Sequence, residues 1–178
     1  MGNINKYQKE KLVFAILISD FSLKAKLVAL LVKKFGSLDF ESEILDFTFS
    51  NYYDREMGTP IKRFFISFSK LIEPDSLAAI KITANYIERQ FLSKAMRRVN
   101  LDPGLLALSR FVLASTKESS HRMAIGRGIY GEITLMYKHG TFRAVEWTYP
   151  DYKSSAYINI LNAIRSIYAG QLKSKRPS

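Results

Sequence analysis

Cysteine is absent from the 178 residues of this chain. That absence excludes thiol nucleophiles, thiolate zinc sites and disulfide frameworks together. Histidine is nearly as scarce, with His121 and His139 the only two, so metal chemistry would have to use oxygen ligands and these rings. Long hydrophobic runs are missing too. The apolar run near the start, Leu12 to Ser19, is too short to span a bilayer. The opening MGNINKYQKE is polar rather than signal-like, and Lys6 stands where a myristoylation signal needs Ser or Thr. A cytoplasmic protein that does not engage a membrane is the expectation. Acidic residues are also in deficit, 16 against 27 Lys and Arg, for a net charge of +11.

What is present is an ordinary globular composition: 47% hydrophobic and 13% aromatic residues, enough for one domain over residues 1–178 that buries its own core. Residues 1–10 and 173–178 are expected to be flexible ends. The positive surplus is uneven, since Lys94 to Arg143 contains nine basic and three acidic side chains. A concentration of this kind suits a phosphorylated small molecule, a nucleotide or RNA; it also suits a solvated surface.

KLVFAILIS has the unbroken apolar character of a buried strand. DFSLKAKLVALLVKKFG then reads as a helix, with Ser22 as N-cap, Leu23, Leu27, Leu30, Leu31 and Phe35 on its apolar face, and Gly36 as its stop. LDFESEILDFTF and the aromatic-rich IKRFFISFSKLI read as strands joined by the turn-rich SNYYDREMGTP. Pro74, Asp75 and Ser76 open a second helix whose apolar face is Leu77, Ile80, Ala84, Ile87 and Phe91. RRVNLDPG reads as a short strand ending in a Pro103–Gly104 turn, and LLALSRFVLAST as either helix or strand. GIYGEITLMYKHGTFRAVEWTY is a hairpin, and Ser154 or Ser155 caps a closing helix. The fold class expected is α+β. Its core is a ferredoxin-like βαββαβ unit, an antiparallel sheet with helices on one face, extended by a C-terminal hairpin and helix.

NYYDREMG, RRVNLDPG, STKESSHR, GRGIYGEITL and WTYPDY together resemble the prokaryotic family known as domain of unknown function 4416, over almost the whole chain. The resemblance implies no activity. Some members of that family bear a GTP-binding label, but no G-x-x-x-x-G-K-[ST] loop occurs in this chain.

Four segments carry candidate chemistry. In RRVNLDPG, Arg97 and Arg98 suit phosphate or carboxylate, Asn100 can orient a base or sugar, and Asp102 can bind a metal or take a proton; strand alternation sends Arg98, Asn100 and Asp102 to one face. His121 is the candidate acid or base, flanked by Arg122 and Arg127. NYYDREMG supplies Tyr52 and Tyr53 for stacking and the carboxylate pair Asp54 and Glu56 for a divalent cation; Glu132, if it faces the same cleft as Asp102, gives an oxygen-only site for magnesium. In WTYPDY, Trp147 reads as structural, while Tyr149, Asp151 and Tyr152 read as cleft residues.

Three functional classes follow. The first is binding, with or without turnover, of a phosphorylated small molecule or nucleotide in a basic cleft. The second is an RNA-binding module, and the third a non-catalytic interaction protein. A shared cleft for Tyr53, Asp102, His121, Arg127, Glu132 and Asp151 would favour the first.

Overall fold

The computed structural model describes residues 2–174. Its first strand, β1 (Glu10–Ile18), is buried at every position, because helices cover both faces of the sheet around it. This explains its unbroken apolar run. Helix α1 (Lys24–Phe35) follows after a single 3₁₀ turn over Phe21–Leu23, which is capped by the Asp20 carboxylate rather than by Ser22. The chain then forms β2 (Leu38–Glu41), the short β3 (Leu45–Asp46), the one-turn α2 (Asp54–Met57) and the long β4 (Lys62–Ile72). Helix α3 (Leu77–Arg89) leads through a tight hairpin, β5 (Leu92–Ser93) and β6 (Met96–Arg97), into β7 (Val99–Leu106) and β8 (Arg110–Ser115). The last elements are β9 (Met123–Gly126), β10 (Ile129–Lys138), β11 (Thr141–Ala144) and α4 (Ser155–Lys173), with the Ser154 hydroxyl capping α4 as the sequence suggests.

Nine strands form one antiparallel sheet in the order β11-β10-β8-β7-β1-β4-β2, with β3 alongside β4 and β9 alongside β10. On one face, Leu12, Phe14, Ile16 and Ile18 of β1 pack with Leu27 and Leu31 of α1 and with Ile80, Ala84 and Ile87 of α3. On the other, Val13 and Ala15 pack with Phe65, Phe111, Leu135 and the α4 side chains Tyr157, Leu161, Ile164 and Tyr168. The molecule is therefore α+β, with its antiparallel sheet between two helices and one.

The expected start of the flexible end reaches Glu10, which is already the first residue of β1. The expected flexible tail, residues 173–178, lies outside the described residues from 175 onward; Lys173 still belongs to α4. LLALSRFVLAST resolves as strand.

RRVNLDPG differs from the reading of its sequence, because Pro103 and Gly104 do not turn the chain. β7 runs straight through both, with Pro103 opposite Phe14 and Gly104 opposite Val13 of β1. The reason is that β7 has only one strand neighbour over this stretch. Pairing with β8 begins at Gly104, opposite Leu113. Before that point, the outer edge of β7 is held by α3: the Leu101 N–H donates to Glu88 Oε1 (2.6 Å) and its carbonyl accepts from Lys81 Nζ (2.8 Å). These contacts show that Leu101 turns its backbone groups away from β1. By the two-residue repeat of a strand, Pro103 does the same, so its missing N–H costs no bond to β1. Gly104 serves close approach rather than a turn: a Cβ there would lie 2.7 Å from the Phe111 ring and from the Val112 carbonyl oxygen.

Candidate functional site

The departure of β8 from β7 opens the sheet. The gap becomes a cleft of about 750 Å³, within the size range of small-molecule sites. β7 contributes Asn100 and Asp102; Leu113 to Lys117 form the opposite wall. Lys81, Asn85 and Glu88 reach in from α3, while Phe47, Phe49, Tyr52 and Tyr53 come from the segment between β3 and β4. The WTYPDY corner closes the cleft with Tyr149, Asp151 and Tyr152.

Arg63 of β4 lies at the floor and is 2% exposed. The register explains its position. Arg63 faces Leu17, which faces Asn100 on the far side of β1; Phe65 faces Ala15, which faces Asp102. The single methyl of Ala15 leaves room across β1 for the Arg63 guanidinium and the Asp102 carboxylate to approach, Nη1 to Oδ2 being 3.6 Å. Arg63 Nη2 meets Asp151 Oδ2 at 3.2 Å, and the guanidinium is flanked by the rings of Phe47 (5.3 Å) and Tyr157 (5.8 Å). Arg63 Nε and Nη1 and the hydroxyls of Tyr152 and Tyr157 make no well-formed hydrogen bond.

The remaining charges of the cleft compensate one another. Lys81 Nζ is 3.6 Å from Asp102 Oδ1, and Asn100 Nδ2 donates to Asp102 Oδ2 (2.7 Å). Arg97 binds Glu56 (2.8 Å) and Glu88 (3.2 Å). Burial raises the pKa of Asp151, and the Arg63 charge offsets part of that rise. Burial likewise raises Glu88, opposed by Lys81, the Leu101 N–H and Arg97. It also raises the Tyr53 and Tyr152 hydroxyls and pushes Tyr157 up to about 12.

At the rim the arrangement is looser. Lys117 Nζ donates to the Tyr52 hydroxyl (2.6 Å) and lies 4.5 Å from the centre of its ring. Neither Lys117 nor Arg89 has a carboxylate partner among the described residues.

Of the residues singled out in the sequence, Tyr52, Tyr53, Arg97, Asn100, Asp102, Tyr149, Asp151 and Tyr152 line this cleft. Arg98 does not. It precedes β7, so strand alternation no longer governs it, and its Nη1 turns to the Met57 carbonyl (3.4 Å). Asp54 lies in the single turn of α2. Arg127 sits at φ 56° in the exposed turn joining β9 and β10.

His121, Arg122 and Glu132 form a separate cluster. Buried Glu132 accepts from Arg122 Nε (2.6 Å) and bonds His121 Nε2 (3.1 Å). His121 Nδ1 is occupied by Ser119 Oγ (3.1 Å), and its ring stacks on Trp147 at 5.3 Å and 14°. Trp147 Nε1 donates to the Ile133 carbonyl (2.9 Å). The cluster touches the cleft through Arg122, whose Nη2 donates to the Tyr149 hydroxyl and whose Nη1 donates to the Lys117 carbonyl (2.8 Å). Burial, and secondly the Glu132 charge, raise the pKa of that hydroxyl. Asp102, Glu132 and Asp54 are not gathered as magnesium ligands, and among the described residues no three His, Asp or Glu side chains are placed to hold a metal ion.

The sequence reading missed Arg63, Lys81, Glu88 and Lys117. Arg63 carries a readable signal, since alternation in IKRFFISFSKLI puts a cation on the same face as Phe65 and Ser67. So do Lys81 and Glu88, spaced seven apart beside the apolar stripe of α3.

These features define an α+β protein whose antiparallel sheet opens into a cleft of paired charges and aromatic rings. The chain belongs to the family described as Domain of unknown function (DUF4416), whose model matches residues 8–168. No curated protein and no solved structure matches it. No helix among the described residues is long and apolar enough to cross a membrane.

Proposed function

We propose that the cleft binds a phosphorylated small molecule, a nucleotide in first place. Arg63 carries the reading: a guanidinium 2% exposed at the floor of a concave site, whose Nε and Nη1 make no well-formed hydrogen bond, Nη1 lying 3.6 Å from Asp102 Oδ2. A buried donor without an acceptor costs about 1–3 kcal/mol, which a ligand acceptor recovers. The phosphate is assigned to the rim, where Arg89 and Lys117 have no carboxylate partner among the described residues. Tyr52, which Lys117 contacts, and Phe49 of the same cleft offer ring faces.

The test is calorimetric titration with nucleotides and inorganic pyrophosphate. Binding is expected to weaken with salt, and to fall roughly tenfold or more in the Arg89→Met/Lys117→Met double variant. A protein that binds no phosphorylated compound at low salt would remove this reading.

The RNA reading has less support, because α1 and α3 on one face and α4 on the other cover the central strands, leaving no open aromatic sheet. An oligonucleotide that binds far more tightly than any mononucleotide would restore it. An interaction protein is supported by the exposed Met123 and Ile125 on β9. The ferredoxin-like reading of the core is supported by the strand order β7-β1-β4-β2 and by α1 and α3 sharing a face.

A further inference from the structure

We propose that the floor of the cleft reads a heteroaromatic base, which enters first and leaves the phosphate at the rim; this rests on the phosphorylated-ligand reading above. The charges of the floor decide the direction. Asp102 and Asp151 flank Arg63, at 3.6 and 3.2 Å, and Asp102 is also beside Lys81 at 3.6 Å. A phosphate pushed to this depth would meet two carboxylates where water is largely excluded and like charges repel strongly. At the rim, by contrast, the Lys117 ammonium donates to a neutral phenol and has no carboxylate partner among the described residues, so the anionic end is stabilised there.

The unmet hydrogen bonds of the floor specify what does fit. Arg63 Nε and Nη1 make no well-formed hydrogen bond, with Asp102 Oδ2 3.6 Å from Nη1, so an acceptor brought beside them completes their bonding. Asp102, whose side chain is 24% exposed, offers carboxylate oxygens to donors. The complementary group is neutral and flat, and carries an acceptor beside a donor on one edge. A ring nitrogen or carbonyl next to an amino or lactam N–H meets that description. A sugar hydroxyl set is not flat, and a polyphosphate has no donor. The walls agree, since Phe47, Phe49, Tyr53 and Tyr149 present rings on which such a plane can stack. The Arg63 guanidinium itself lies 5.3 Å from the centre of the Phe47 ring and 5.8 Å from that of Tyr157, so it is packed among the same rings.

Titration of the whole chain with the four ribonucleosides, their 5′-monophosphates, ribose 5-phosphate and pyrophosphate tests this. At least one nucleoside should bind without phosphate, its monophosphate more tightly at low salt, and ribose 5-phosphate and pyrophosphate at least tenfold more weakly. Asp102→Asn, which keeps the shape of a side chain 24% exposed, should weaken nucleoside and nucleotide alike, roughly tenfold or more. Lys117→Met should weaken only the nucleotide. If ribose 5-phosphate binds as tightly as the nucleotide, or Lys117→Met weakens the nucleoside equally, base-first binding is overturned while the phosphorylated-ligand reading stands. If a nucleoside binds and phosphate adds nothing, the base-reading floor stands and the phosphate reading falls. If no compound binds, both fall.

Discussion

Glu132 and Arg63 are both buried, each 2% exposed, but they are satisfied to different degrees. Glu132 takes bonds from Arg122 and His121, which come from the segment just before its own hairpin. Arg63 finds its carboxylates far along the chain, at Asp102 and Asp151, and its Nε and Nη1 still make no well-formed hydrogen bond. The first is a local lock that ties the β8–β9 connection to β10. The second is assembled only when β4, β7 and the corner before α4 have come together. A buried charge with all its partners stabilises structure; one with unmet donors, in a cleft, is the feature on which the proposed ligand rests.

The contrast is best broken at Glu132. Glu132→Ala leaves two buried or half-buried basic groups without their acceptor, and breaking a buried pair in this way costs about 3–5 kcal/mol. Denaturant unfolding measures that loss, and a cost below about 1 kcal/mol would mean that Glu132 locks nothing. Gly104→Ala comes next. Its methyl must displace the Phe111 ring and the Val112 carbonyl, both at 2.7 Å, with an expected loss of about 1–3 kcal/mol and a shallower or closed cleft. Wild-type stability in Gly104→Ala would show that the β7–β8 junction is pliable. Arg63→Met should destabilise less than Glu132→Ala, because its carboxylates have other recourse: Asp102 keeps Lys81, and Asp151, whose pKa burial already raises, can take up a proton. If Arg63→Met instead unfolds the protein more than Glu132→Ala does, Arg63 is structural and the cleft loses its anchor.

Much of the scaffold was legible in the sequence. β1 declared its double burial by its unbroken apolar run, and α1 and α3 by their apolar stripes. The turn expected at Pro103–Gly104 failed because residue types report local preference, whereas the neighbour of β7 changes from a helix to a strand at that point. Proline in a strand is itself a mark of an edge without a ladder partner, so the interrupted edge left a trace. Asn100, Asp102, Tyr149 and Asp151 were visible as polar groups at strand ends and corners. Their meeting at Arg63 was not, since it depends on register across β1 and on the small side chain of Ala15. His121 was singled out for its ring, but the properties that decide its role, two occupied nitrogens and a stacked face, are tertiary.

The smallest expected effect is in the pH dependence of stability, and it separates the two regions once more. Burial raises the pKa of Asp151 at the cleft and of Glu88 on α3, in each case outweighing the basic groups beside them. Between the ordinary carboxylate pKa of about 4 and these raised values, the folded state holds more protons than the unfolded chain. Stability contributed by these two groups therefore falls as pH rises through that window and is flat above it. Acidifying from neutrality to about pH 5, still above the ordinary carboxylate pKa, should leave the denaturant midpoint unchanged or higher, so far as Asp151 and Glu88 govern it. Asp151→Asn removes one of the titrating groups and should flatten the dependence, while Glu132→Gln leaves Asp151 and Glu88 in place and should keep their share of it. Midpoints measured across this range in the three proteins decide the matter: if Asp151→Asn retains the wild-type slope, the cleft carboxylate does not hold its proton in the folded state.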